Sequence, residues 1–303
     1  FPGQGSQKIG MLSELAEFNS IVEDTFSQAS EVLGYDLWKM SQEGSQEQIN
    51  LTERTQPLLL ASSVAVWRVW MDKKGAMPAV LAGHSLGEWS ALVCAGTVQF
   101  EDAVGIVRSR GALMQDAVPV GIGAMAAIIG LDDESICQSC ADARGDEVVD
   151  AVNFNAPGQV VIAGSADAVG RAIELCKAAG AKRALPLPVS APFHTSLMAP
   201  AAEGLTEQVR SVMFSAPEIP VIHNVHGQSE SDPAVIKKLM LEQIYSPVRW
   251  VDCVLELRRR GAEQFVECGP GRVLSGLSKR INREIVSFST DDVASLKNAL
   301  AAV

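Results

Sequence analysis

Between residues 121 and 189 the chain passes through six elements whose order leaves few folds open. Residues 124–129 (AMAAII) are an apolar run of strand length, and residues 132–143 carry apolar positions at helical spacing. Residues 148–154 and 159–163 read as two more strands, joined through Asn155-Ala156-Pro157-Gly158. A helix over 167–179 and a strand over 182–188 complete the series. Strand-helix-strand-strand-helix-strand is the ferredoxin-like arrangement, closed here in about 65 residues. Gly121 and Gly123 mark its entrance, and the proline-rich 186–192 stretch marks the return. We therefore expect residues 121–189 to form a small domain inserted into a larger one made of 1–120 and 190–303.

The flanking sequence alternates differently. Helices are expected over 56–70, 86–95 and 101–117, with a short buried strand at 78–82 before the second of them. After the insertion come helices over 200–212, 233–245, 248–260 and 272–280, and strands over 220–226, 264–268 and 285–289, before a terminal helix. Strands separated by helices argue for an α/β fold on a largely parallel sheet. The expected class is thus an α/β-hydrolase-like large domain with a parallel sheet, plus the ferredoxin-like small domain. In a chain of 303 residues, 47% hydrophobic and 20% charged, there is ample material for such a core.

A formal charge of −11 disfavours nucleic acid and anionic membranes as partners, so an acidic ligand must be met by a few local cations. No run approaches the ~18 apolar residues of a membrane span, and no basic segment leads into an apolar one at the start, so neither an anchor nor a signal peptide is expected. Phe1-Pro2-Gly3 reads as the end of a strand, which leads us to expect a few residues ahead of it. The six cysteines (Cys94, Cys137, Cys140, Cys176, Cys253, Cys268) lie in apolar or helical context and read as reduced core thiols of a cytoplasmic protein. Cys137 and Cys140 form C-x-x-C inside a helix with no second ligand pair, so no metal site is expected.

The chemistry concentrates in a few places. Gly83-His84-Ser85-Leu86-Gly87 fits G-x-S-x-G. The pattern alone is weak, but a strand before it and a helix after it supply the sharp turn that a nucleophile elbow requires, with the helix N-terminus where an oxyanion would form. The bland alternative is a glycine-rich turn with Ser85 as helix cap. A serine nucleophile needs a base, and four histidines compete. His84 should point away from its neighbour, and His223 and His226 alternate on a strand-like run. His194 lies in a proline-bounded loop between strand and helix, where catalytic groups tend to sit. On a helical wheel of residues 101–117, Arg110 falls in the middle of the apolar face, flanked by Ala103, Val107 and Met114 on one side and Ile106 and Leu113 on the other. Arg108 falls on the polar face. A buried guanidinium demands an anion, either a structural carboxylate or a ligand held by both arms of the fork. The glycine-rich 1–7 segment could cradle an anion, although it fits neither nucleotide-binding pattern.

FPGQGSQ at 1–7, TQPLLL at 55–60, GHSLGEWSAL at 83–92, RG at 110–111, GAMAAIIGL at 123–131, NFNAPGQVVIAG at 153–164, PVSAPFHTSLM at 188–198, YSPVRW at 245–250 and ECGPGRVL at 267–274 occur in this order. With them the chain closely resembles the malonyl-CoA:acyl carrier protein transacylases of dissociated bacterial fatty acid synthesis, over essentially its whole length. The resemblance implies Ser85 as nucleophile, His194 as base, Arg110 as partner of the malonyl carboxylate, and Gln4 with the Leu86 amide as oxyanion hole. It also implies a backbone carbonyl near Gln243, in place of a triad acid, to orient the histidine. Phe193, next to the base, is expected to face the acyl pocket and to disfavour a branched acyl group. The implied partners are malonyl-CoA as substrate and a holo acyl carrier protein, with no other cofactor, in a cytoplasmic monomer. Lys182-Arg183 and Lys279-Arg280-Arg283 are the candidate docking patches for an acidic carrier. The competing readings are a trans-acting polyketide acyltransferase, a serine esterase or thioesterase whose histidine needs an acid and whose Arg110 has no use, and a non-catalytic carrier-binding module.

Overall fold

A computed structural model describes residues 1–189 and 191–303. Ser190, where we expected the larger unit to resume, lies outside the described residues. Eight strands are present among those described: β1 Leu81–Ala82, β2 Gly123–Ile129, β3 Val149–Ala156, β4 Gln159–Ser165, β5 Arg183–Pro186, β6 Val221–Ile222, β7 Gln264–Glu267 and β8 Val286–Ser289.

β2 to β5 form one antiparallel sheet in the order β3-β4-β2-β5. The helices Asp133–Arg144 and Ala166–Ala178 connect its strands, so the strand-helix-strand-strand-helix-strand order read from the hydrophobic periods is present. This unit has its own core, in which Ala126, Ile128, Val160 and Ile162 of the sheet pack with Ile136, Cys140, Val169 and Cys176 of the two helices. Asp132 caps the first helix by accepting from Ser135 N at 2.9 Å.

The parallel sheet expected for the rest is less continuous than the sequence suggests. β1 pairs with β6 and β7 with β8, both parallel, as two separate two-stranded ladders. The apolar runs at 78–82 and 220–226 are mostly loop, because only two residues of each find a backbone partner in the ladder. An apolar-walled cavity of about 300 Å³, lined by Phe1, Trp67, Trp70, Leu81, Trp250 and Phe265, lies between the two ladders. The carboxylate at its edge, Glu267, is already used: it accepts from Leu274 N and Ser275 N at the start of the helix Val273–Ile281.

The helix expected at 56–70 runs over Thr52–Asp72 and is largely buried, with Leu58, Leu59, Leu60 and Ala61 fully inaccessible. Four helices within Ser13–Asn50, which the sequence reading did not assign, precede it, and two of them, Ile21–Leu33 and Gln46–Asn50, pack on it. Expected helix 233–245 stops at Glu242 and tightens into a 3₁₀ turn at Gln243–Tyr245, a change that matters for the site. The cysteines are free among the described residues, but Cys137 is exposed and Cys94 half-buried, so not all of them are core thiols. Burial pushes the Cys140 thiol up to about 12, the reverse of what a redox pair needs.

Candidate active site

The segment 83–87 makes its turn because two glycines let backbone approach backbone. A Cβ on Gly83 would sit 1.9 Å from the carbonyl carbon of Gly87, and one on Gly87 would sit 2.2 Å from the carbonyl oxygen of Phe1. Phe1 N donates to Ala82 O and Phe1 O accepts from His84 N, so the glycine-rich start runs beside β1 and packs on the turn. Ser85 is left at φ 51° and ψ −109°, immediately before the helix Leu86–Cys94. This backbone is held from both sides by Asn224, whose Oδ1 accepts from Ser85 N at 2.7 Å while its Nδ2 donates to Gly83 O at 2.8 Å.

Ser85 Oγ lies 2.8 Å from His194 Nε2. His194 Nδ1 lies 2.8 Å from the backbone oxygen of Gln243. A carbonyl can only accept, so Nδ1 carries the proton and Nε2 presents its lone pair to the serine hydroxyl. Burial, with the nearby Arg110 charge, pulls the imidazole down to about 3, against the Gln243 carbonyl that favours its charged form. The ring is therefore neutral near pH 7, ready to take a proton. The orienting carbonyl is offered by the 3₁₀ turn at Gln243–Tyr245, where the helix before it ends.

Arg110 is 1% exposed. No carboxylate of the described residues lies within 4 Å of its guanidinium, so the structural ion pair weighed from the sequence is not there. Nη1 donates to Gln56 Oε1 at 2.8 Å and Nη2 to Gln243 Oε1 at 2.9 Å, while Nε is buried with no partner. Burial lowers the arginine to about 10, with Glu88 opposing the shift from further away, so it stays charged at neutral pH. Arg108, on the same helix Phe100–Asp116, is exposed.

Gln4, Ser85, Leu86, Arg110, Phe193 and His194 line one cavity of about 280 Å³, and Gln243 lies behind it through the bonds just given. Its apolar wall includes Phe193, Met114, Met125 and Val161, so an anion would meet the guanidinium beside hydrocarbon. Gln4 stands on an exposed turn at the mouth. Leu86 is the first residue of its helix, where a backbone N–H has no intrahelical acceptor. His84 turns to Asn155, at 2.7 Å, and His223 is buried against Glu88, so neither competes for Ser85.

Three polar residues of the site were not singled out from the sequence: Gln56, Glu88 and Asn224. Glu88 had a usable signal, a carboxylate among Leu86, Trp89 and Leu92 on a helix with no polar face, the same reasoning that exposed Arg110. Gln56 and Asn224 are uncharged and had none.

A strained strand-to-helix serine, an imidazole on a backbone carbonyl and an arginine without a carboxylate partner share one apolar cavity, an arrangement suited to acyl transfer through serine. The comparisons agree: residues 1–296 match the acyl transferase domain family, and the chain belongs to it. It is 54% identical over 300 residues to the malonyl CoA-acyl carrier protein transacylase of Salmonella typhimurium, covering 99% of this chain and 97% of that protein. Its fold matches an acyl carrier protein S-malonyltransferase from Vibrio cholerae at a TM-score of 0.97 and 58% identity, over 98% of this chain and 97% of that one. It also matches a malonyl-transacylase solved in complex with its type II PKS acyl-carrier protein, at a TM-score of 0.99 and 52% identity, over 100% and 98% of the two chains.

Proposed function

We propose that this chain transfers the malonyl group from coenzyme A to the pantetheine thiol of an acyl carrier protein, through a malonyl ester on Ser85, and so supplies fatty acid synthesis in the cytoplasm. His194 Nε2 takes the Ser85 proton as Oγ attacks the thioester carbonyl. The oxyanion is met by the Leu86 N–H and the Gln4 loop; one such donor typically contributes about 3 kcal/mol. The intermediate collapses, and the coenzyme leaves as a thiol carrying the proton returned by His194. The carrier thiol then attacks the ester from the same side, in the reverse sequence of proton movements, giving ping-pong kinetics. Arg110 binds the malonyl carboxylate with both arms of its fork and thereby aims the carbonyl. Serine, imidazole, amides and guanidinium supply each step, so no metal or redox cofactor is required.

The observation that carries this reading is the pairing of Ser85, His194 and the unpaired Arg110 around one cavity. The esterase reading required an acid on His194 Nδ1, and that atom faces the Gln243 carbonyl instead. Phe193 is buried in the acyl wall, which supports a preference for malonyl over a branched homologue. The likeness to a transacylase solved with a type II PKS carrier favours one alternative acceptor, a polyketide carrier. We further propose that 121–189 acts as a domain distinct from 1–120 and 190–303, and that the protein works as a monomer. Among the described residues no helix is long and apolar enough to cross a membrane. The test is intact mass after brief mixing with malonyl-CoA: the wild type gains one malonyl group and passes it to holo carrier, and Ser85→Ala gains none. An adduct of full yield in Ser85→Ala removes that residue from the mechanism; label passed to water alone makes the protein a hydrolase.

A further inference from the structure

Glu88 lies outside the cavity and is joined to Arg110 through the Gln243 amide. It is fully buried, and its oxygens are occupied by donors from three residues in two segments. Oε1 faces His223 Nδ1 at 2.7 Å, while Oε2 accepts from Asn224 N at 3.0 Å and Gln243 Nε2 at 2.7 Å. His223 Nε2 is buried with no partner, so a proton there would be stranded; the ring proton sits on Nδ1 and Glu88 accepts it. The Gln243 amide has its NH2 on Glu88 and on Ser85 O, the latter at 3.0 Å, and its oxygen on Arg110 Nη2. Turned end for end, the amide would set NH2 against guanidinium and oxygen against both a carboxylate and a carbonyl, making all three contacts repulsive.

We infer that Glu88 is a positioning residue for malonyl selectivity: it fixes the direction of the Gln243 amide, so that Arg110 is held by a neutral carbonyl oxygen and keeps its charge for the substrate. The inference rests on the reading of Arg110 as partner of the malonyl carboxylate. It separates two jobs of one residue. The Gln243 backbone oxygen orients His194 for every acyl group, and its side-chain oxygen, set by Glu88, faces Arg110, the partner of the acidic one.

In Glu88→Gln three donors face one oxygen and one NH2. Asn224 N is main chain and His223 is packed, so the Gln243 amide is the group free to turn, bringing NH2 against Arg110. The malonyl-to-acetyl ratio of kcat/KM should fall at least about tenfold, the loss expected when one hydrogen bond to a charged group is removed. Gln243→Met, which keeps the backbone oxygen, should lower the ratio by a similar factor. The double variant should lose no more than either single one, as expected of residues acting in series. Equal loss of both substrates in Glu88→Gln, or losses that multiply in the double variant, would overturn the inference. So would an unchanged ratio in Gln243→Met, which decides the matter even if Glu88→Gln fails to fold. Arg110→Ala is the separating arm: if its ratio equals that of the wild type, the carboxylate reading itself fails.

Discussion

Ser85 and His194 are two of four non-glycine residues, among those described, with a positive φ, 51° and 65°. Such a backbone costs on the order of 1–3 kcal/mol each and persists only where surrounding bonds over-determine it, as Asn224 does for Ser85. The depressed His194 pKa has two consequences with a definite sign. An unfolded chain, with its imidazole at the ordinary 6.5, binds a proton that the folded state refuses, so stability falls as pH drops from 6.5 toward about 3. Melting temperature followed across that window should decline less steeply in His194→Gln than in the wild type. For catalysis, the acid limb of kcat/KM should lie below 6.5 in the wild type. It should move up in Arg110→Ala, because the arginine charge is one of the causes of the shift. Arg110→Ala should also cut malonyl transfer by about 2–5 kcal/mol, roughly thirtyfold to several-thousandfold, and spare acetyl transfer. Arg110→Lys should recover part of the loss, since a point charge cannot reproduce the planar fork. Arg108→Ala, exposed on the same helix, should be near neutral; equal loss of both acyl groups with a lower melting temperature in Arg110→Ala would make that arginine structural.

The turn between β1 and the helix Leu86–Cys94 is set by van der Waals radii more than by any polar contact. With a Cβ on Gly83 placed 1.9 Å from Gly87 backbone, strand and helix must separate, and Ser85 Oγ must leave His194. We expect Gly83→Ala to lose malonyl-serine formation and to be destabilised by at least the ~1–3 kcal/mol of an overpacked core site. Gly170→Ala gives the contrast. It lies inside the helix Ala166–Ala178 with open space where its Cβ would go, so it should gain about 0.5–1 kcal/mol in urea unfolding with activity unchanged. A Gly83→Ala protein that acylates at the wild-type rate would show that the turn tolerates what this geometry forbids.

The two units meet through backbone as well as side chains. Phe154 N donates to Val248 O and Val248 N to Val152 O, which ties β3 to the segment leading into the helix Trp250–Arg259. The junction also assembles a surface invisible in the linear order. Across the sheet Gln159 and Arg183 both register with Ile129, which puts them about 10 Å apart, two strand spacings. Arg280 Nη1 donates to Gln159 Oε1, so the two basic segments named from sequence converge on one face. Lys182, Arg183, Lys279, Arg280 and Arg283 are all exposed, and the helix Val273–Ile281 that carries two of them also lines the cavity with Val273, Leu274 and Leu277. Reversing Arg183 and Arg280 to glutamate should raise KM for the holo carrier but not for malonyl-CoA, more at low salt than at high. An unchanged carrier KM at low ionic strength would place docking elsewhere.

Hydrophobic period and turn chemistry are local, and they carried the order of elements within 121–189, the turn at 83–87 and the anomaly of Arg110. Each is a departure from what the neighbouring residues alone would favour, which is why it can be read from a chain. The family motifs pointed to what periodicity could not, including the contact of His194 with the backbone carbonyl of Gln243. Strand lengths could not be read, because an apolar run becomes ladder only where another backbone lies beside it, and β1 and β6 keep two residues each. Nor could most of the polar network around the cavity: Gln56, Asn224 and the Gln243 side chain come from three separate segments, and an uncharged amide has no signature until its neighbours are fixed. The direction of the Gln243 amide, and with it the neutral partner of Arg110, is settled by donors and acceptors that meet only after folding.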